Sequence, residues 1–484
     1  MTPFHFSLFI PEILSVVFLA YFVIRSAWAG KKDCPSIFNE MTVCSLLLLA
    51  SLFIFGRKTG IGFQNMASAD SFAFYFKVLF TSVFAVVAMM SREFLKNAPS
   101  EKQSFGLILW CGLVGLYFVS SSVNLLALYV STEILAMSLY VLAANGKNTP
   151  HGSAVEGKSC PGIEAGLKYF ILGTVASAFM VFGTAMIYLK TGSLSLVEIA
   201  AAEPTVWQTP SGTLALLFFF AGIGFKIAVF PFHLWVPDVY EGSPTPATAL
   251  MSVASKAVGI LILIRFFQMT VMPANEKWHA VLAWFSVLTL LYGSLGALGQ
   301  TKVKRLLGYS SITHSGYLML AFAAENQMAT ASMLYYLLGY AASTLGLFYA
   351  LTLIEKQYHS DRTENLNGLS KTSPFLAWSL FIYLFSIAGI PPLAGFMGKF
   401  WILSFTLQAG LILPAAIGLL AVVLGMAYYL PLAIRIVFKE PERNEAFQVP
   451  LSAKIILGLL SLLSIAIGLF QAPLIQAAVI AIKN

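Results

Sequence analysis

Apolar runs dominate the chain from one end to the other, and the polar stretches between them are short. A helix that crosses a membrane needs about 20 mostly apolar residues. Fourteen runs qualify, centred near residues 16, 48, 81, 112, 133, 177, 224, 257, 288, 315, 341, 390, 423 and 466. The thinnest boundary lies between the fourth and fifth, where only Ser120, Ser121, Ser122 and Asn124 signal a turn. The tenth run, about 306–324, is unusually polar. The first, Phe4 to Ala29, is too long for the apolar region of a signal peptide and reads as a true span. The pattern therefore predicts an all-α polytopic membrane protein of about fourteen transmembrane helices, forming one membrane domain over 1–484.

The runs repeat. Spans four to eight form one set of five and spans nine to thirteen another. Five is odd, so the second set starts from the opposite side of the membrane and is inverted. The third span of each set is interrupted, by Gly222, Gly224, Pro231 and Pro237 in the first and by Gly389, Pro391, Pro392, Gly395 and Gly398 in the second. Matched interruptions in two inverted halves point to an ion site near the midplane, against the plainer fact that Gly and Pro are common in membrane helices. The expected division is three N-terminal helices over 1–100, a first five-helix repeat over 101–270, an inverted repeat over 278–437 and a C-terminal helix over 450–484.

Composition agrees. Of 484 residues, 58% are hydrophobic and 10% charged, against about 25% charged in a soluble domain. The net charge of +8 is spread over connectors and builds no basic face for nucleic acid. It follows membrane topology instead. Eighteen Lys and Arg fall on odd-numbered connectors and their flanks, and five on even ones and the termini. This bias predicts cytoplasmic odd connectors and periplasmic termini. Cys34, Cys44, Cys111 and Cys160 are far apart, with no CxxC pair for iron–sulfur or zinc ligation. There is no GxGxxG after a strand, no P-loop and no haem motif.

Six basic residues remain, all inside apolar runs: Lys77, Lys168, Lys226, Lys256, Arg265 and Lys399. Lys77 and Arg265 are expected near span ends, with their charges reaching the interface. A charge at the bilayer centre costs about 2.5–3.5 kcal/mol and is usually functional. Lys226 and Lys399 lie in the broken spans, Lys256 in the eighth, Lys168 in the sixth, and Glu133 in the fifth. Burial favours a lysine's neutral amine and a nearby carboxylate favours its ammonium, so a changing acid–lysine distance moves a proton. Arginine stays charged and cannot serve. For each lysine the competing explanation is a fixed ion pair, strongest for Lys168 with Glu164 four residues earlier. His233 and His314 also fall at membrane depth, as packing groups or as stepping stones between lysines. Glu12 in the first span stands alone, with no assigned role.

At these residues the chain resembles a known family. GFKIAVFPFHLWVPDVYEGSPTPATALMSVASK from Gly224, KRLLGYSSITHSGYLML from Lys304 and SIAGIPPLAGFMGKF from Ser386 are similar to signatures of the antiporter-like, proton-translocating subunits of respiratory complex I. The resemblance covers essentially the whole chain. It implies that Glu133 is the acid of the fifth span, Lys226 its partner, Lys256 the connecting lysine and Lys399 the terminal lysine, where one paralogue carries glutamate. Lys168 matches a lysine of the sixth span in one paralogue. It further implies an inner-membrane location beside an antiporter-like paralogue and small membrane subunits. No cofactor is expected in this chain; NADH, FMN, iron–sulfur clusters and quinone would belong to other subunits. The alternative is a subunit of a stand-alone cation/proton antiporter, which shares the fold.

Overall fold

The computed structural model describes residues 6–29, 37–96, 98–145, 161–271, 277–441 and 447–483. Cys34, Cys160, Lys31, Lys32, Lys147, Lys158 and Arg443 lie outside the described residues. The first three passes are α1 (Ile10–Ala29), α2 (Ile37–Phe55) and α3 (Ser71–Phe94). Then come α4 (Pro99–Ser121), α5 (Leu125–Ala144) and α6 (Pro161–Thr191). The seventh pass is split into α7a (Pro210–Ile227) and α7b (Trp235–Gly242). The eighth, α8, starts as Thr245–Leu250 and runs on to Val271, with π-helical turns at Met251–Ser255 and Leu263–Val271.

The second half holds α9 (Lys277–Ala297), α10 (Val303–Ala323) and α11 (Gln327–Tyr358). It continues with the split pass α12a (Pro374–Ala388) and α12b (Ala394–Gln408), then α13 (Ile412–Phe438) and α14 (Leu451–Leu469). Among the described residues twelve helices are long and apolar enough to cross a membrane. The polar α10 and the split α12 complete fourteen passes. One element differs from the apolar pattern. The last run is two helices, α14 and α15 (Gln471–Lys483), because Pro473 lacks the N–H that would continue the ladder of α14.

Connector contacts tie the two faces of the molecule. On one face the hairpin β1 (Gly60–Gly62) and β2 (Ala67–Ala69) follows α2. Bridges Ala67–Ser122 and Asn124–Ser195 join the second, fourth and sixth connectors there. Asn124 also caps α5 by accepting from Leu126 N and Ala127 N, so this short turn is a real helix boundary. On the other face Lys302 bridges Arg362, and Gly368 N donates to Arg435 O, joining connectors nine and eleven to the last turn of α13. This face carries the odd connectors and is termed the basic side below.

Close helix approach follows from small residues. A Cβ on Gly183 of α6 would lie 2.4 Å from Phe219 N of α7a, and one on Gly293 of α9 would lie 2.5 Å from Thr313 N of α10. The helices at the centre are α8, buried from Thr245 to Phe267, and α11, buried along nearly all of its length. Helices α1, α6, α13 and α14 form the outer wall. Because α10 is sheathed by protein over almost all its length, it keeps serines, a threonine and a histidine that a lipid-facing helix would reject.

Two expectations are corrected. Lys77 and Arg265 do not reach an interface; both are buried. Lys77 is hydrogen-bonded to Glu12, which also accepts from Ser121 Oγ at 2.5 Å. Arg265 pairs with Asp70 at 3.0 Å and donates to Ser120 O at 2.8 Å. Each charge has found an internal partner in a different helix or connector, so Glu12 is not a lone acid.

Candidate functional site

The first break is built from its sequence. Ala228 takes a left-handed conformation (φ +67°) and ends α7a, and Pro231 cannot donate to a continuing ladder. Gly224 leaves room for Phe232, whose ring would sit 2.8 Å from a Cβ there, so the broken segment folds back on α7a. Lys226 is therefore held in the last turn, its side chain almost wholly buried. The carbonyls freed by the break are capped from other helices. Ser255 Oγ of α8 donates to Lys226 O at 2.8 Å, Ser315 Oγ of α10 to Ile227 O at 2.5 Å, and Trp235 Nε1 of α7b to Phe225 O at 3.1 Å. With its own carbonyl occupied, Lys226 turns its ammonium to Glu133 of α5, 3.7 Å away. Ser177 Oγ of α6 donates to the same Glu133 oxygen at 2.7 Å.

Lys256 is wholly inside, just after the first π-turn of α8. Its ammonium donates to Ser311 Oγ of α10. Ser311 also meets the hydroxyls of Tyr240 at 3.1 Å and Tyr340 at 3.3 Å. One turn further along α10, His314 Nδ1 bonds Tyr336 Oη, and Nε2 lies 3.3 Å from Tyr429 Oη. Along α10, His314 lies between Ser311, which holds Lys256, and Tyr317, whose ring faces the Lys399 ammonium.

The second break resembles the first in shape and differs in its caps. Gly389 ends α12a at φ +91°, and α12b folds back so tightly that a Cβ on Gly395 would overlap Ser386 O. Here the lysine itself caps the freed carbonyls: Lys399 Nζ donates to Ile387 O at 2.7 Å and Ala388 O at 3.1 Å. The ammonium stands 5.2 Å from the Tyr317 ring centroid. No ion pair joins Lys399 to an acid among the described residues.

The structure thus brings together Glu133 and Lys226, and separately sets His314 between Lys256 and Lys399. It sets two residues apart. Lys168 is at the basic rim and nearly half exposed, paired with Glu164 and Asp238 at 2.9 Å each. Helix α6 has 31 residues, about 46 Å at 1.5 Å per residue, well over a hydrocarbon core of about 30 Å, and Lys168 lies in its second turn. His233 is buried between Phe230 and Tyr292, and neither ring nitrogen has a hydrogen-bond partner among the described residues.

Sequence reasoning missed a further buried pair. Lys304 of α10 and Glu355 of α11 lie 3.3 Å apart, each about 3% exposed. Lys304 reads as one more connector charge within TKVKR, and Glu355 as the start of the polar stretch EKQYHSDR. A heptad spacing along α10, from Lys304 to Ser311, was the available signal.

Comparison with known proteins agrees with this architecture. The family "NADH:quinone oxidoreductase/Mrp antiporter, TM" matches residues 122–425. NADH-quinone oxidoreductase subunit N 1 of Rhizobium meliloti (strain 1021) is 33% identical over 472 residues, covering 97% of this chain and 95% of its own. Subunit N of Chlorobium chlorochromatii (strain CaD3) is 35% identical over 490 residues, covering 96% and 92%. Among solved structures, a chain of respiratory complex I from Thermus thermophilus with bound aureothin superposes with a TM-score of 0.80 at 30% identity, over 96% of this chain and 99% of that one. A chain of the Mrp complex from Dietzia sp. DQ12-45-1b reaches 0.86 at 20% identity, over 99% and 97%, a likeness of fold alone. With a third of its residues shared with subunit N sequences along nearly its full length, the chain belongs to the NADH:quinone oxidoreductase/Mrp antiporter family of membrane subunits, in its subunit N branch.

Proposed function

We propose that this chain translocates protons as a membrane subunit of a bacterial NADH:quinone oxidoreductase, through a relay of Glu133, Lys226, Lys256, His314 and Lys399. The observation that carries the reading is the 3.7 Å approach of Glu133 to Lys226 beside the first break, with further lysines buried in the same bundle. A lysine whose only carboxylate neighbour can withdraw is a proton switch. Redox chemistry stays in partner subunits, which hold NADH, FMN, iron–sulfur clusters and quinone. The partners of this chain are an antiporter-like paralogue and small membrane subunits of the same complex. The chain sits in the inner membrane with both termini periplasmic, and the division into 1–100, 101–270, 278–437 and 450–484 makes two inverted five-helix repeats. Lys168 and His233 stand off the main line, Lys168 as a rim residue near its entry.

The competing reading, a stand-alone cation/proton antiporter, draws on fold likeness. One experiment separates them. The assembled complex in inverted vesicles acidifies the lumen when quinone is reduced, and Lys256→Ala lowers that pumping rate. Acidification that ignores electron transfer and follows a Na⁺ gradient refutes the proposed function.

A further inference from the structure

The Lys304–Glu355 pair has a setting that a simple structural clamp does not need. It lies on the basic side, where α8, α10 and α11 meet. Thr245 Oγ1, at the start of α8, donates to Glu355 Oε2. Lys304 Nζ donates to Ser243 O at 3.1 Å. Its ammonium is ion-paired with Glu355 Oε1 at 3.3 Å, and that oxygen accepts no hydrogen bond among the described residues. Ser243 Oγ, wholly buried in the same corner, has none either among those residues. Residues 359–363 cross directly beyond it as a strap, held to the start of α10 by Val303 N→Asp361 O at 2.8 Å and Thr363 N→Thr301 O at 2.9 Å.

Each of the three helices carries this polarity inward. Seven residues beyond Lys304 on α10 is Ser311, about 10 Å deeper. Eleven beyond Thr245 on α8 is Lys256, which is bonded to Ser311. Fifteen before Glu355 on α11 is Tyr340, also at Ser311. Tyr240, three residues before Ser243, places its hydroxyl on Ser311 as well. A buried carboxylate, ion-paired to Lys304 at 3.3 Å, therefore stands at the outer end of a seam, and the central lysine stands at the inner end.

We infer that Glu355 is the proton-admitting group of this subunit, loading Lys256 from the basic side through Tyr240 and Ser311, with Lys304 and Thr245 as its positioning residues. The inference rests on the relay reading above. Glu355 takes a proton from water at the strap and becomes a neutral acid. Lys304 keeps its own proton and its seat on Ser243 O, so it need not follow. Water carries the proton from Glu355 to Tyr240. Tyr240 passes its hydroxyl proton to Ser311 and is reprotonated, and Ser311 passes its own to the neutral amine of Lys256. The net change is one proton lost by the Glu355 acid and one gained by the Lys256 amine, with both hydroxyls restored.

The test uses the whole complex in inverted vesicles, with assembly verified on native gels and the initial rate of proton pumping measured per assembled complex. Glu355→Gln keeps the shape and the acceptor for Thr245 but cannot carry a proton, so its pumping rate falls to that of Lys256→Ala. Glu355→Asp recovers most of the parental rate, and Thr245→Val falls between the two. If Glu355→Gln pumps like the parent while Lys256→Ala is impaired, Glu355 is not the entry and the inference fails alone. If Gln and Asp are equally damaging, the pair is structural and the inference again fails. If Lys256→Ala pumps like the parent, the relay reading itself fails. Should Glu355→Gln not assemble, Thr245→Val decides: a reduced rate supports the entry and a parental rate overturns it.

Discussion

Replacing Lys226 by arginine separates fixed charge from proton transfer. At 3.7 Å and an effective dielectric constant of about 20, Glu133 and the Lys226 ammonium attract by about 4 kcal/mol. Moving one elementary charge against a potential of about 150 mV requires about 3.5 kcal/mol. The two are of similar size. Letting Glu133 withdraw therefore changes the cost of holding the Lys226 proton by about as much as the membrane demands per proton. Arginine keeps the attraction and the positive charge but does not release a proton at physiological pH. Lys226→Arg is expected to pump as poorly as Lys226→Ala, and Glu133→Gln is expected to be harmful while Glu133→Asp is milder. The assay is the proton-to-electron ratio of the assembled complex in vesicles. A parental ratio in Lys226→Arg would show that the residue supplies only charge, and the switch would be wrong.

Lys399→Ala removes the donor from Ile387 O and Ala388 O, at about 1.5–3 kcal/mol for charged hydrogen bonds. It should reduce pumping with assembly intact, and full pumping in an assembled complex refutes its relay role. Lys77→Met strands the buried Glu12 carboxylate and should cost about 3–5 kcal/mol, read as a lower melting temperature of the purified complex; the double variant with Glu12→Gln should recover most of it, and an equally unstable double variant contradicts the pairing. Gly183→Val should lower that melting temperature too, because its Cβ meets Phe219 N at 2.4 Å and overpacking costs about 1–3 kcal/mol; an unchanged melting temperature would mean that α6 and α7a can separate freely. Cysteine labelling at position 360 should occur from the cytoplasm and at position 483 from the periplasm, and labelling of both from one side would invalidate the span count.

The parts of this site visible in the sequence are those where charge interrupts an apolar run. Glu133, Lys226, Lys256 and Lys399 each stand among residues that otherwise suit lipid, so their depth follows from counting. The same counting misplaces Lys168, because a long apolar run does not reveal that its helix overreaches the bilayer. It also overlooks Lys304, whose neighbours Lys302 and Arg305 do face water, and Glu355, which shares a polar stretch with Lys356. Pairing was least accessible. Glu12 and Lys77 are 65 residues apart, and Arg265 meets Asp70 across 195. Such partners are chosen by helix packing, for which no local pattern exists. The π-turns of α8 are similarly unannounced by any local pattern. By contrast, both helix breaks and the Asn124 turn are written in local chemistry, in prolines, glycines and a capping side chain.

The placement of α5 and α8 has a consequence for what the surroundings can influence. Helix α5 shows Leu126, Val130, Met137 and Val141 to the outside, and it carries the acid Glu133. Helix α8 is buried from Thr245 to Phe267, and it carries Lys256. Bilayer thickness, lipid packing or the pressure of a neighbouring chain can push directly on the acid's helix. The central lysine feels them only after they have passed through the outer wall. The rind of the molecule is thus the responsive layer and its heartwood the insulated one. A change of membrane should alter how readily Glu133 parts from Lys226 before it alters anything that happens at Lys256.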